Sequence, residues 1–333
     1  MDVRGKNIYV GLSGGVDSAV SAALLQRAGA RVTGVFIKGW YPPGMPCTWA
    51  NERRDAMRVA ARLQIPFYTF DASAAYKKNV IDYLRDEYRV GRTPNPDVMC
   101  NREVKFGVFH RYARAEGAEY IAMGHYRSGE KDQRYFLWAV PPAIIAQTIF
   151  PVGEMEKSEV RALAKRFGLP VAQKKDSQGV CFLGNISVDE FLRSEFGETP
   201  GRALDRKGAV VGMHDGVLLY TLGERIPLKE TDEIGPWFVH AKDISKNELT
   251  VGRTPFQERV LDHKEVLFTD ANWFRNPSGV VEAQYRYRGK RTEGRIEKDR
   301  FISVLPFREI PTPGQSIVFY QNDELVGGGI IAA

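Results

Sequence analysis

Residues 7–30 read NIYVGLSGGVDSAVSAALLQRAGA: a short apolar strand, a glycine turn and an alanine-rich helix with no linker between them. A strand that passes straight into a helix can open a βαβ unit, whose helical crossover suits parallel pairing. The pattern then repeats. RVTGVFI reads as a strand, and NERRDAMRVAARLQI places Ala56, Val59, Ala60 and Leu63 on one helical face. PFYTFDA is a third strand, and the next amphipathic helix carries Val80, Ile81, Leu84 and Tyr88 and ends at Gly91. After a loop with two prolines, REVKFGVFHRYARAEGA reads as a helix and EYIAMGH as a buried strand. Strands alternating with helices predict an α/β fold, a doubly wound parallel sheet covered on both faces. Ligands bind such sheets beyond the carboxyl ends of the strands. The glycine turn, the end of RVTGVFI and His125 all fall on that edge, and the proline loop can reach it.

Near Thr199 the character changes to short alternating strands with frequent glycines, and from about residue 259 onward it is all-β, with QNDE as a hairpin turn. We therefore expect three domains: a nucleotide-binding domain over 1–198, a small mainly-β middle domain over 199–258 and a C-terminal β-barrel over 259–333. No run approaches the roughly 20 apolar residues of a membrane helix, and the first residues lack a signal-peptide core. The expectation is a cytoplasmic protein that makes no membrane contact.

The turn SGGVDS offers successive backbone N–H groups at a helix start, a ready site for an anion. Gly14 and Gly15 permit close approach, and Ser13 and Ser18 add hydroxyls. Asp17 is out of place beside a phosphate unless a divalent cation, such as Mg2+, bridges the two. The turn lacks the GK[ST] of a Walker loop. The whole string resembles the pyrophosphatase loop of the PP-loop ATPase superfamily, in which ATP adenylates an oxygen so that a nucleophile can displace it.

Three cysteines, Cys47, Cys100 and Cys181, are too few and too widely spaced for a disulfide framework. Each reads equally well as a buried structural thiol. Cys181 follows Lys174 and Lys175, whose charge favours thiolate. Two thiols near an ATP site could carry a sulfur as a persulfide and discharge it by forming a disulfide. His110, His214, His240 and His263 are scattered without metal-ligand spacing.

GLSGGVDSAVSAALL, GRTPNPDVMCNREVKF, GHY, KDQRYFL, FPVGEMEKSEVR, KKDSQGVCFLG and TPGQSIVFY with GGGII occur in this order from the first strand to the last. Together they are similar to bacterial tRNA-specific 2-thiouridylases of the MnmA/TrmU type. The resemblance implies ATP-dependent replacement of the C2 oxygen of a wobble uridine by sulfur. It implies ATP binding by Gly11, Leu12, Ser13, Gly14, Gly15, Val16, Asp17 and Ser18, with Ile37 and Gly124 flanking the adenine. Cys181 would receive the persulfide, Cys100 would close the disulfide, and Asp97 would act as acid/base. Asn95 and Pro96 would shape the pocket for the flipped-out base. His125, Lys131, Asp132, Gln133, Arg286, Tyr287 and Gln315 would contact tRNA. The partners implied are a tRNA with a wobble uridine and a persulfide-donating relay protein or cysteine desulfurase, the chain itself acting as a monomer.

Four features bear on that reading. QYRYRGKRTEGRIEKDR mixes arginines with Tyr285 and Tyr287, which suits phosphate contact and stacking as well as it suits a solvated strand face. The stretch between GHYRSGE and KDQRYFL is shorter than in the family, Ile37 stands where methionine is common, and GERIPL replaces GQRKGL. The shortened stretch motivates one alternative, a catalytically silent tRNA-binding homologue. A PP-loop ligase using an amine nucleophile is the other. An iron–sulfur cluster on Cys47, Cys100 and Cys181 is chemically open, but their positions form no motif, and a structural Cys47 is the simpler expectation.

Overall fold

The structure, a computed structural model, describes residues 1–41, 49–129, 132–175, 187–232, 235–254, 264–307 and 311–332. Cys47, Cys181, Lys131 and His263 lie outside these residues. The chain forms two compact units, one of Met1–Ile81 with Pro96–Asn185 and one of Asp82–Asn95 with Ile186–Ala333.

In the first unit, β1 (Asn7–Gly11), α1 (Val16–Arg27), β2 (Arg31–Lys38), α2 (Trp49–Leu63), β3 (Phe67–Asp71) and α3 (Ser73–Tyr76) come in turn, and a π-helical turn Lys77–Ile81 continues α3. The chain passes through α4 (Asp82–Arg89), which belongs to the second unit, and returns with α5 (Pro96–Met99), a π-helical segment Cys100–Val108, α6 (Phe109–Ala115) and β4 (Tyr120–Ala122). The short helix α7 (Pro142–Ile145), β5 (Thr148–Ile149) and α8 (Lys157–Arg166) complete it. The five strands pair in parallel in the order β3-β2-β1-β4-β5. The sequence runs outward from β1 to β3 on one side and from β4 to β5 on the other. The switch point therefore lies between the carboxyl ends of β1 and β4, where a ligand crevice opens.

Core burial matches the side-chain pattern. Ile8 and Val10 of β1 are fully buried, and α1 is apolar almost all round, with Val16, Ala19, Val20, Ala22, Ala23 and Leu25 buried against the sheet and α8. Small residues let that helix lie close to the strands. The more amphipathic α2 turns only Ala56, Val59 and Ala60 fully inward.

The second unit holds two β assemblies. After α9 (Val188–Phe196), started by a capping box between Ser187 and Glu190, come β6 (Gly201–Leu204), β7 (Val210–His214), β8 (Arg225–Ile226), β9 (Trp237–Asp243) and β10 (Glu248–Gly252), ordered β7-β6-β10-β9-β8. A closed barrel comes next, built from β11 (Glu265–Trp273), β12 (Val281–Gln284), β13 (Thr292–Glu297), β14 (Arg300–Ser303), β15 (Ser316–Gln321) and β16 (Glu324–Ile331) in the order β11-β14-β13-β12-β15-β16. The expected QNDE turn joins β15 to β16, with Asn322 and Asp323 both at positive φ (54° and 60°), as a tight antiparallel hairpin requires.

Candidate nucleotide site and the segment around Cys100

The predicted loop lies at the switch point. Gly14 takes φ +75°, and a Cβ there would run into the Glu52 carbonyl, so only glycine fits. Ser13 and Ser18 hydroxyls lie 3.2 Å apart, the Ser13 hydroxyl accepts from the Gly15 N–H at 3.3 Å, and Ser18 donates to the Gly15 carbonyl at 3.2 Å. These bonds fix the turn while its opening into α1 stays available to an anion. Across the crevice, a Cβ on Gly124 would come within 2.9 Å of the Ser18 nitrogen. Glycine at 124 thus lets the end of β4 close onto the loop.

A cavity of about 220 Å³ opens here, lined by Gly11, Leu12, Ser13, Asp17 and Ser18, by Phe36 and Ile37 at the end of β2, by Met123, Gly124 and His125 after β4, and by Glu52, Lys105 and Gln133. The structure therefore brings Ile37, Gly124, His125 and Gln133 together with the glycine loop. His125 is open to the cavity on one side, but its Nδ1 is closed to solvent and accepts no hydrogen bond. Burial, aided by the charge of Lys105, holds its pKa well below the ordinary histidine range, so the ring is neutral. Burial likewise raises the Glu52 carboxyl, against the opposing charge of Lys174.

Several site residues escaped the motif reading. Asp17 is paired with Lys157, whose Nζ lies 2.6 and 2.8 Å from its two oxygens, and accepts from the Tyr126 hydroxyl at 2.7 Å. Lys157 is the first residue of α8, and Tyr126 ends the GHY string. The odd acid beside a phosphate loop is thus balanced by a lysine 140 residues away. No group of three or more His, Cys, Asp or Glu suited to a metal occurs among the described residues. With Asp17 already paired with Lys157, the described cavity lining offers only Asp17 and Glu52 as carboxylates, which suits a magnesium ion carried in on phosphates better than a cage of protein ligands. Lys174 is tied to the loop, donating to the Gly14 carbonyl at 3.0 Å and to Asp55 at 2.8 Å, while Cys181, whose thiolate it was expected to favour, lies outside the described residues.

The proline segment departs from expectation. Asp97 and Cys100 are helical rather than in a loop, because Pro96 opens α5, with its fixed φ preset for the first helical position and Asn95 before it. Asp97 falls in the first turn, where the helix dipole favours an acid. Cys100 begins the π-helical segment and is 1% exposed. Asn101 ties that segment to the Phe136 carbonyl at 3.0 Å, and Phe106 packs 5.6 Å from the His125 ring.

Of the other expected contacts, Asp132 pairs with Arg134 at 2.7 Å, and Gln133 accepts from the Tyr126 N–H at 3.1 Å. Gln315 donates to the carbonyls of Thr93 and Pro94 at 3.0 and 3.3 Å. The first part of the arginine-rich stretch is not a strand face: β12 ends at Gln284 and the chain turns, with Arg288 at φ +61°, before β13 takes up Thr292–Glu297. Tyr285, expected on that face, is 6% exposed and packs into the barrel core against Phe307. Arg286, with Arg288, Lys290 and Arg291, lines a cleft of about 630 Å³, and Tyr287 sits with its ring 5.3 Å from the Arg288 guanidinium. No described helix is long and apolar enough to cross a membrane.

A phosphate-type loop at the switch point of a parallel sheet, with a small β domain and a barrel after it, defines a class of nucleotide-dependent α/β proteins with β extensions. Family models match each part: a tRNA methyl transferase HUP domain over residues 6–185, a tRNA methyl transferase PRC-barrel domain over 189–253 and an aminomethyltransferase β-barrel domain over 263–331. The tRNA-specific 2-thiouridylase MnmA of Enterococcus faecalis is 40% identical over 355 residues, covering 97% of this chain and 94% of its own. That of Lacticaseibacillus paracasei is 38% identical over 363 residues, covering 100% and 96%. The chain belongs to the tRNA-specific 2-thiouridylase family. Both alignments exceed its 333 residues, so these relatives carry residues that it lacks. Among solved structures, the U34-tRNA thiolase NcsA from Methanococcus maripaludis is 18% identical and covers 58% of this chain and 68% of its own, at a TM-score of 0.37. A score that low carries no argument about function.

Proposed function

We propose that this protein replaces the C2 oxygen of a wobble uridine in tRNA by sulfur, at the expense of ATP. The cavity that joins the SGGVDS loop to Ile37 and Gly124 is the observation that carries the reading, since it offers an anion site and an apolar slot side by side. Gly11 through Ser18 bind the phosphates, with Ile37 and Gly124 beside the adenine. A magnesium ion carried on the phosphates would supply charge neutralisation there, with Asp17 as the loop's own carboxylate. The uridine O2 attacks the α-phosphorus, its bond to the pyrophosphate oxygen breaks, and pyrophosphate leaves. Asp97, set at the helix start by Asn95 and Pro96, moves the proton of the base. The terminal sulfur of a persulfide on Cys181 then adds to C2, and the C2–O bond breaks to release AMP. Cys100 thiolate attacks the Cys181 sulfur, giving a Cys100–Cys181 disulfide and leaving the sulfur on the base. Arg286, Tyr287 and Gln315 contact tRNA, as do His125, Lys131, Asp132 and Gln133. A cysteine desulfurase or relay protein supplies the persulfide, and the chain works as a monomer.

The test combines the protein, ATP, magnesium, a persulfide donor and unmodified tRNA, with 2-thiouridine read by mass spectrometry. The reading predicts product from the wild type and none from Cys181→Ser or Cys100→Ser. Full 2-thiouridine formation by Cys181→Ser would overturn the persulfide step, and tRNA-dependent pyrophosphate release with an amine-substituted base in place of 2-thiouridine would favour an amine nucleophile. No product and no pyrophosphate release from the wild type would leave a silent tRNA binder.

A further inference from the structure

The cavity has an uneven distribution of charge. Its acids are Asp17, already paired with Lys157, and Glu52. His125 is neutral, and its closed-off Nδ1 is better left as a bare lone pair than as an orphaned N–H, which assigns its proton to Nε2. Lys105 is therefore the one cation among the described lining residues. Its place in the chain is equally informative. It lies five residues after Cys100 inside the π-helical segment, whose register is shown at its end by the Phe109 N–H bonding the Val104 carbonyl. In an i→i+5 helix, residues five apart are about one turn apart on neighbouring faces, whereas an α-helix would turn them well away from each other. The π-helical register thus keeps Lys105 on the side of the segment that carries the nucleophile.

We infer that Lys105 is a catalytic residue that holds the α-phosphate, a second anion pole of the site distinct from the pyrophosphate pole at the glycine loop. This inference rests on the thiolation reading. As O2 attacks the α-phosphorus, charge accumulates on the α-phosphoryl oxygens. An ammonium already aimed at them stabilises that charge without reorganisation. The same contact then serves AMP as it departs with the former O2, on the side from which the sulfur arrives. The glycine loop holds pyrophosphate and releases it independently.

The experiment compares the wild type with Lys105→Gln and Lys105→Arg. Binding of AMP and of inorganic pyrophosphate is measured by calorimetry, and tRNA-dependent pyrophosphate release is tracked in single turnover. Lys105→Gln is expected to weaken AMP at least tenfold, leave pyrophosphate affinity and thermal unfolding unchanged, and slow release by about 100- to 1000-fold. Lys105→Arg restores part of both losses. Unchanged AMP affinity would overturn the assignment. So would a loss that appears only in tRNA affinity with a shallower salt dependence, which would mark Lys105 as a tRNA phosphate contact. A wild type that releases no pyrophosphate sinks the thiolation reading instead, and the AMP and pyrophosphate affinities still decide the contact.

Discussion

At the scale of single residues, the site is a set of charges that answer one another over long sequence separations. Asp17 alone would repel a phosphate, yet Lys157 and Tyr126 occupy its oxygens, so the loop presents its N–H groups without a bare carboxylate. His125 gives this electrostatic picture a measurable consequence. Its folded pKa is depressed from the ordinary 6.5, so below that pH the unfolded chain takes up a proton that the folded chain refuses. The stability that His125 contributes is therefore full above about pH 6.5 and falls with pH below it, by at most about 1.4 kcal/mol per unit. Urea unfolding of the wild type and His125→Gln from pH 7.5 to 5 should show the two curves converging or crossing as pH falls. Parallel curves would contradict a neutral, enclosed His125.

At the scale of elements, local chemistry was legible where it rests on neighbours in sequence. The strand–turn–helix at residues 7–27, the inward faces of α2 and the Asn322–Asp323 hairpin arise from period and turn chemistry, and the structure has them. The partners of Asp17 and the route of Lys174 were not legible, because both depend on which helix the fold lays beside the loop. Pro96 was read as stiffening a loop although it also suits the first turn of a helix, and Asn95 before it is a good cap. The arginine-rich stretch illustrates the same limit. Strand alternation put Tyr285 and Tyr287 on one outer face, but the strand stops at Gln284 and the two rings part company. Tyr285→Ala should cost about 3–5 kcal/mol in barrel stability, as loss of a buried ring does. Tyr287→Ala should change stability by no more than about 0.5 kcal/mol, as at other half-exposed sites, while weakening tRNA binding. Urea unfolding and a tRNA titration separate these outcomes, and equal stability losses would contradict the placement.

At the scale of the whole molecule, the two units contribute different things. The first holds the cavity at the glycine loop, and Asp97 and Cys100 belong to the same parallel-sheet unit though neither lines that cavity. The second carries the arginine-lined cleft of the barrel and, through Gln315, grips the chain at Thr93 and Pro94, just before it enters the helix of Asp97. The central claim is that ATP activates the uridine oxygen itself, and that claim predicts where this atom ends. A tRNA labelled with ¹⁸O at C2 of the wobble uridine, incubated with ATP and a persulfide donor, tests it directly by mass spectrometry of the nucleotide product. The account predicts ¹⁸O in AMP, one atom for each 2-thiouridine formed. Unlabelled AMP alongside 2-thiouridine would show that ATP is used elsewhere, and the proposed chemistry of the glycine loop would be wrong.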